Sequence, residues 1–180
     1  MKSSNTIYSI GHSSRRFEAF LALLQQNKIE FLADVRRFPL SKNFPHFNAK
    51  NLAAELQKIG IQYEHLENLG GRRKLNKNSK NTLWRNSSFR AYADYTDTEI
   101  FKNSLEYLEK LALKKTTAYM CSEAVWWRCH RAIISDLLKV KGWKVLHIMG
   151  VATPEEHPYT SAARIIDGKV LYYDPDLYDV

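Results

Sequence analysis

The chain has 180 residues, 44% of them hydrophobic and 26% charged, which fits a single domain over residues 1–180, because one hydrophobic core usually serves about 100–200 residues. Its 27 Lys and Arg outnumber its 19 Asp and Glu to give a formal net charge of +8, which favours nucleic acid as a partner and disfavours basic proteins. No apolar run approaches the roughly 18–20 residues that span a bilayer, and Met1 to Asn5 lead into no signal-peptide apolar region, so we expect a cytoplasmic protein with no membrane partner.

Strand and helix patterns alternate through the first third of the chain. The β-rich run at residues 6–10 stops at Gly11, and apolar residues then recur at helical spacing over residues 17–27. A second strand is predicted over residues 31–35, followed by a helix that Asn48 caps and Gly60 ends. Residues 61–66 are predicted to form a third strand.

This alternation stops between residues 68 and 93, where apolar residues are sparse and basic ones are frequent. The segment is predicted to be a long loop or a small irregular insert. It contains no Asp or Glu, and Trp84, Phe89 and Tyr92 are interleaved with its Lys and Arg residues. Basic groups neutralise phosphates and aromatic faces stack on unpaired bases, so this mixture suits a nucleic-acid groove.

Alternation resumes in the second half of the chain. Thr98 is predicted to cap a helix, residues 116–121 to form a buried strand, residues 129–141 a helix and residues 144–148 a further strand. Such alternation is typical of an α/β fold with a mostly parallel sheet and helices on both faces. The dipeptide Asp167-Gly168 lies between two β-rich runs and predicts a type I′ hairpin, which we place at the C-terminal edge of the sheet.

Polar clusters follow three of the predicted strands, at the point where each ends. They are residues 11–14, residues 34–37 and residues 122–131. In an open α/β sheet, ligands bind outside the carboxyl ends of the strands, so we expect these clusters to converge on one site.

Several segments resemble one family. They read Tyr8-Ser9-Ile10-Gly11-His12-Ser13, Leu32-Ala33-Asp34-Val35-Arg36, Phe38-Pro39, Phe47-Asn48, Leu69-Gly70-Gly71-Arg72-Arg73, Met120-Cys121-Ser122-Glu123 and Trp127-Arg128-Cys129-His130-Arg131. Together they resemble the family catalogued as domain of unknown function 488. The resemblance implies an α/β domain with a shared polar site, and it implies little about the reaction.

The residues themselves favour a hydrolase that acts on nucleic acid, most concretely a DNA base-excision enzyme that cleaves an N-glycosidic bond without a cofactor. Such chemistry needs a carboxylate, for which Glu123 is the first candidate and Asp34 the second. Glu123 lies two residues beyond a predicted strand end, and its role as acid or base stays open. The candidate substrate-binding residues are Gly11, His12, Ser13, Arg36, Arg37, Arg72, Arg73, Trp127, Arg128, Cys129, His130 and Arg131.

Two other functions stay open. A cysteine after a strand, followed by Arg131 and a helix, is similar to the rhodanese arrangement, although Cys121 and Arg131 are ten positions apart and bulky tryptophans lie between them. A non-catalytic nucleic-acid-binding domain is the other alternative, which an acid in a phosphate-binding cleft disfavours.

The sequence predicts no metal site and no disulfide. Cys121 and Cys129 lie in no C-x-x-C pair, and a reducing compartment disfavours a structural disulfide. On a helix, the adjacent Cys129 and His130 would point about 100° apart. We expect Cys121 to be a packing residue and Cys129 to support the site.

Overall fold

The computed structural model describes residues 5–178 and shows an α/β fold built on a six-stranded sheet. The sheet strands are β1 (Thr6–Gly11), β2 (Phe31–Asp34), β3 (Gln62–His65), β4 (Thr117–Cys121), β5 (Lys144–Ile148) and β6 (Glu155–Glu156). Their order across the sheet is β3-β2-β4-β1-β5-β6, and only β6 runs antiparallel to its neighbour. The predicted parallel α/β architecture is thereby confirmed.

Helices cover both faces of this sheet. They are α1 (Phe17–Gln26), α2 (Ala49–Lys58), α3 (Ser87–Thr96), α4 (Glu99–Ala112) and α5 (Arg131–Val140). Successive residues of a strand point to opposite faces, so Leu32 packs with α1 and α2 in one apolar cluster, whereas Phe31 and Ala33 pack with α3, α4 and α5 in another.

The predicted helix caps have different outcomes. Thr98 caps α4 as predicted, because its hydroxyl accepts from the backbone N–H of Phe101. Asn48 lies at the cap position of α2, but its side chain accepts from the backbone N–H of Ser41 and not from the helix.

The segment at residues 68–93 is not irregular throughout. Helix α3 begins inside it at Ser87, and the side chain of Asn86 accepts from the N–H groups of Ser88 and Phe89. The sequence does not indicate this helix, because its buried residues Ala91, Tyr92 and Ala93 are consecutive and do not recur at helical spacing.

The C-terminal hairpin forms as predicted but lies elsewhere. Strands β7 (Arg164–Ile166) and β8 (Lys169–Leu171) pair around Asp167 and Gly168, whose positive φ angles of 48° and 71° suit a type I′ turn. They form a separate two-stranded sheet, while β6 occupies the edge next to β5. The placement of the hairpin at the sheet edge was therefore wrong.

A buried carboxylate on α5 holds the C-terminal segment in this place. Asp136 accepts hydrogen bonds from the N–H and hydroxyl of Thr160 and from the hydroxyl of Tyr172, and it pairs with His157. The hairpin therefore packs over α5 as a separate sheet, whereas β6 extends the main sheet. No helix in residues 5–178 has the length and apolar character to cross a membrane.

Candidate functional site

A cleft of about 650 Å³ opens at the carboxyl ends of β1, β2 and β4, where the sequence predicts the site. Most of the predicted site residues line it together: His12, Ser13, Arg36, Arg37, Arg72, Glu123, Arg128, Cys129 and His130. Gly11, Asp34, Arg73, Trp127 and Arg131 are not among the lining residues. Each of these five has a position that indicates a different role.

Gly11 brings two of the strand-end loops into contact. A Cβ atom at this position would lie 1.8 Å from the backbone oxygen of Glu123, so only glycine permits the approach. Beyond it, the N–H groups of His12 and Ser13 donate to the backbone oxygens of Cys121 and Ser122 at 3.0 and 2.8 Å. The loop that carries Glu123 is therefore fixed to the end of β1.

Asp34 is fully buried behind the cleft and orients Arg36. Its two carboxylate oxygens accept from Nε and a terminal nitrogen of Arg36 at 2.9 and 2.5 Å, and one of them also accepts from the Tyr63 hydroxyl at 2.7 Å. Burial and the Asp34 charge raise the pKa of Tyr63, so this hydroxyl keeps its proton. The contacts of Asp34 give it a positioning role.

His12 presents a neutral imidazole to the same site. Its Nδ1–H donates to the backbone oxygen of Ser13, its Nε2 accepts from Arg36, and its ring stacks on Phe47 at 4.2 Å. Burial, helped by the Arg36 charge, lowers the pKa of His12 to about 4. The ring can therefore accept or relay a hydrogen bond at neutral pH without adding charge.

The arginines of the site fall into two groups. Arg131 is buried and donates to Ser9, the Cys129 sulfur and the Glu123 backbone oxygen, while Arg73 folds back onto the Gly70 carbonyl and the Tyr95 ring. Arg37 pairs with Glu67 at 3.1 Å and remains partly exposed. Arg72 and Arg128 are exposed and form no ion pair with any residue of the described chain. They are the available cations.

The predicted stacking residues in the basic segment pack against the core, and two of them, Phe89 and Tyr92, also line the cleft. Tyr92 is 1% exposed, and Trp84 and Phe89 stack on each other at 4.7 Å against the core. Near the cleft, the exposed rings are instead Trp127, which is 50% exposed, and Phe38, a lining residue that is 61% exposed. Phe38 was missed as a functional candidate, although its place next to the polar run 34–37 after a strand was a usable signal.

The loop and helix start after β4 bring three soft ligands together. The Cys121 sulfur, the Cys129 sulfur and a ring nitrogen of His130 lie within 4.8 Å of one another. Burial opposes ionisation of Cys129, but the hydrogen bond from Cys121 and the charge and N–H groups of Arg131 lower its pKa to about 6. The same sulfur–sulfur hydrogen bond, together with burial, raises the pKa of Cys121 to about 12. Within the pair, these contacts favour ionisation of Cys129 over ionisation of Cys121.

Glu123 is accessible to a ligand in the cleft, whereas Asp34 is not. Its side chain is exposed, it lines the cleft, and it forms no ion pair within residues 5–178. Its backbone oxygen is anchored by Arg131 at 2.6 Å. The cleft thus offers one accessible carboxylate, the available guanidinium groups of Arg72 and Arg128, and exposed apolar side chains at Phe38 and Leu40.

A comparison with protein-family models gives one match, to "Domain of unknown function DUF488", over residues 16–138. The matched region includes β2, β4 and all the loops that bear Glu123, Arg72 and Arg128. Searches of curated proteins and of solved structures returned no match.

Proposed function

The chain belongs to the DUF488 family, and we propose that its cleft binds nucleic acid and hydrolyses an N-glycosidic bond with Glu123 as the catalytic carboxylate. The observation that carries this proposal is the combination in one cleft of an exposed, unpaired carboxylate with the exposed guanidinium groups of Arg72 and Arg128. Asp34, by contrast, is buried and neutralised by Arg36, so it has no free charge to offer a substrate.

The cleft also suits a flipped nucleotide in shape and polarity. Arg72 and Arg128 would hold phosphates, while the lining residue Phe38 offers an exposed aromatic face for a base. A cleft of about 650 Å³ lies within the range of roughly 300–1,000 Å³ that small-molecule sites occupy. The formal net charge of +8 supports the same class of partner.

The reaction needs one general base and one water molecule. Glu123 accepts a proton from the water while the water oxygen bonds to the anomeric carbon of the sugar. The carbon–nitrogen bond breaks, its electron pair leaves with the nucleobase, and the nucleobase nitrogen takes a proton from solvent, while Glu123 later returns its proton to solvent. The carboxylate also stabilises the positive charge that develops on the sugar in the transition state.

Glu123→Gln tests this role, because it keeps the shape of the side chain and removes its charge. We expect turnover on oligonucleotides with defined modified bases to fall at least about 100-fold, while DNA affinity and melting temperature stay nearly unchanged. Released base and abasic sites are measured by mass spectrometry. Glu106→Gln, an exposed position on α4 outside the cleft lining, is the matched control. Full turnover in Glu123→Gln would contradict the proposal.

The rhodanese-like alternative has weaker support from the geometry. Its thiolate would be Cys121, but that side chain is 7% exposed, and the hydrogen bond to Cys129 and burial raise the pKa of Cys121 to about 12. The Arg131 guanidinium, which would hold the anion, is already bonded to Ser9, Cys129 and Glu123. A purely binding function stays the other alternative. It predicts that tight DNA binding is accompanied by no released base with any modified oligonucleotide.

A further inference from the structure

The cluster of Cys121, Cys129 and His130 plays no part in the proposed hydrolysis, although all three residues lie on the wall of the cleft. It is the only group of three or more such ligand residues in the part of the chain that the structure describes. We propose that it is a metal site that binds one Zn²⁺ ion through two sulfurs and the Nδ1 atom of His130.

The backbone explains why these side chains converge. Cys129 is extended, with φ −133° and ψ 150°, and lies before α5, while His130 is the N-cap residue of that helix. The angle of about 100° between successive side chains applies only within a helix. The Cys129 sulfur and the His130 Nδ1 atom are consequently 3.6 Å apart.

That separation matches a tetrahedral zinc site. Zn–S bonds of about 2.3 Å and Zn–N bonds of about 2.0 Å, at a tetrahedral angle, place sulfur and nitrogen about 3.5 Å apart. The Cys121 sulfur is within 4.8 Å of both atoms, so small side-chain rotations bring it to the roughly 3.8 Å expected between two zinc-bound sulfurs.

The groups around the ligands are those that a metal site requires. The Nε2 atom of His130 lies 2.8 Å from the backbone oxygen of Val35. A carbonyl can only accept, so Nε2 carries a hydrogen, and Nδ1 is the ring nitrogen that can bind a metal ion. Donation of the second ring N–H to a carbonyl is the usual arrangement for a metal-binding histidine.

Space and charge also fit the ion. A Cβ atom at Gly71 would lie 3.1 Å from Nδ1, so a larger residue at this position would crowd the His130 ring. The Cys129 sulfur accepts from the backbone N–H and Nε of Arg131 at 3.5 and 3.4 Å, which stabilises a thiolate. Binding of Zn²⁺ would displace the Cys121 proton to solvent, so that two thiolates neutralise the ion, and water or a ligand from the cleft would complete the tetrahedron.

Soft sulfur ligands with an imidazole select zinc over magnesium or calcium, which prefer oxygen. The inference does not depend on the proposed function, because binding is measured without substrate. The first experiment uses the reduced full-length chain, which is dialysed against Zn²⁺ and then analysed for metal by mass spectrometry. We expect one equivalent of Zn²⁺ per chain. The reduced chain is also titrated with Co²⁺, which should give the visible bands of tetrahedral cobalt and sulfur-to-cobalt charge transfer.

Variants identify the ligands. Cys121→Ser, Cys129→Ser and His130→Gln should each weaken Zn²⁺ binding by more than the roughly 10–100-fold that the loss of an outer-shell partner costs. His12→Gln removes another imidazole of the same cleft and should bind one equivalent. Melting curves show which variants fold. The proposal is overturned if the reduced wild-type chain binds no Zn²⁺, or if folded Cys129→Ser binds a full equivalent. It is also overturned if the freshly isolated chain contains a Cys121–Cys129 disulfide, because the two cysteines would then be a redox pair.

Discussion

At the scale of single residues, the two candidate carboxylates have opposite environments, although both follow a strand of the same sheet. Asp34 is fully buried and its oxygens accept from Arg36 and Tyr63, so they are directed at groups of the protein. Glu123 is exposed in the cleft. The sequence ranks Glu123 before Asp34 but cannot show that Asp34 is buried, because this depends on the neighbours of β2 in the sheet, β3 and β4, which are distant along the chain.

Asp34→Asn therefore tests a positioning role. The variant leaves the buried Arg36 guanidinium without its counter-charge, and removal of one partner of a buried ion pair costs roughly 3–5 kcal/mol. We expect the free energy of unfolding in urea to fall by about that amount, whereas Glu123→Gln leaves it unchanged. An Asp34→Asn protein of wild-type stability and no turnover would instead make Asp34 the catalytic acid or base.

At the scale of elements, the alternation of strands and helices was predictable, because buried apolar residues recur at helical spacing in the helices and form short β-rich runs in the strands. The five parallel strands and the helices α1, α2, α4 and α5 follow the predicted order. Helix α3 and the position of the C-terminal hairpin did not follow the prediction. The buried residues of helix α3 are consecutive and do not recur at helical spacing, and the hairpin is held on α5 by Asp136, a long-range contact that no local pattern encodes.

Convergence of the site was predictable for a related reason. Parallel strands end at one edge, so the loops after β1, β2 and β4 meet there. The meeting of Cys121, Cys129 and His130 was not predictable, because it depends on the extended backbone of Cys129 just before α5.

The cap of α3 gives a prediction at this scale. The Asn86 side chain accepts from the N–H groups of Ser88 and Phe89, so Asn86→Ala should lower the free energy of unfolding by about 1 kcal/mol. Asn86→Asp retains an acceptor and should be close to wild type. Both are compared by urea denaturation, and equal losses in the two variants would show that the side chain does not act as a cap.

At the scale of the whole molecule, the net charge of +8 is not evenly available for binding. Arg36, Arg73 and Arg131 are bonded within the protein, whereas Arg72 and Arg128 are exposed at the cleft. Each phosphate contact adds about 0.7–0.9 to the dependence of log affinity on log salt concentration. Arg72→Ala and Arg128→Ala should each reduce this slope by about that amount.

Lys114→Ala is the matched control, because Lys114 is exposed just before β4, at the opposite end of the sheet. It removes the same charge and should leave the slope unchanged. DNA binding is measured by fluorescence anisotropy over a series of salt concentrations. Equal slopes for wild type, Arg72→Ala and Arg128→Ala would remove the cleft from the nucleic-acid interface.

The stability of the whole molecule should also depend on pH, because two buried histidines stay neutral. Burial lowers the pKa of His12 to about 4 and, with the neighbouring His157, lowers that of His147 to about 2. The unfolded chain takes up a proton at each residue near pH 6.5, and the folded chain does not. Stability is therefore full above about pH 6.5 and falls as the pH drops towards 4.

The free energy of unfolding should fall by roughly 1 kcal/mol per pH unit for each of these histidines. The range between about pH 6.5 and 5 is used because most carboxylates are still ionised there and contribute little to the change. Urea unfolding at closely spaced pH values measures the slope. In His12→Gln, the amide oxygen can still accept from Arg36, but the unfolded chain takes up one proton fewer. The slope of the unfolding free energy against pH should therefore fall by the contribution of one proton. If wild type and His12→Gln lost stability in parallel over this range, His12 would not be neutral in the folded protein, and its Nε2 atom could not be the acceptor for Arg36 that the structure shows.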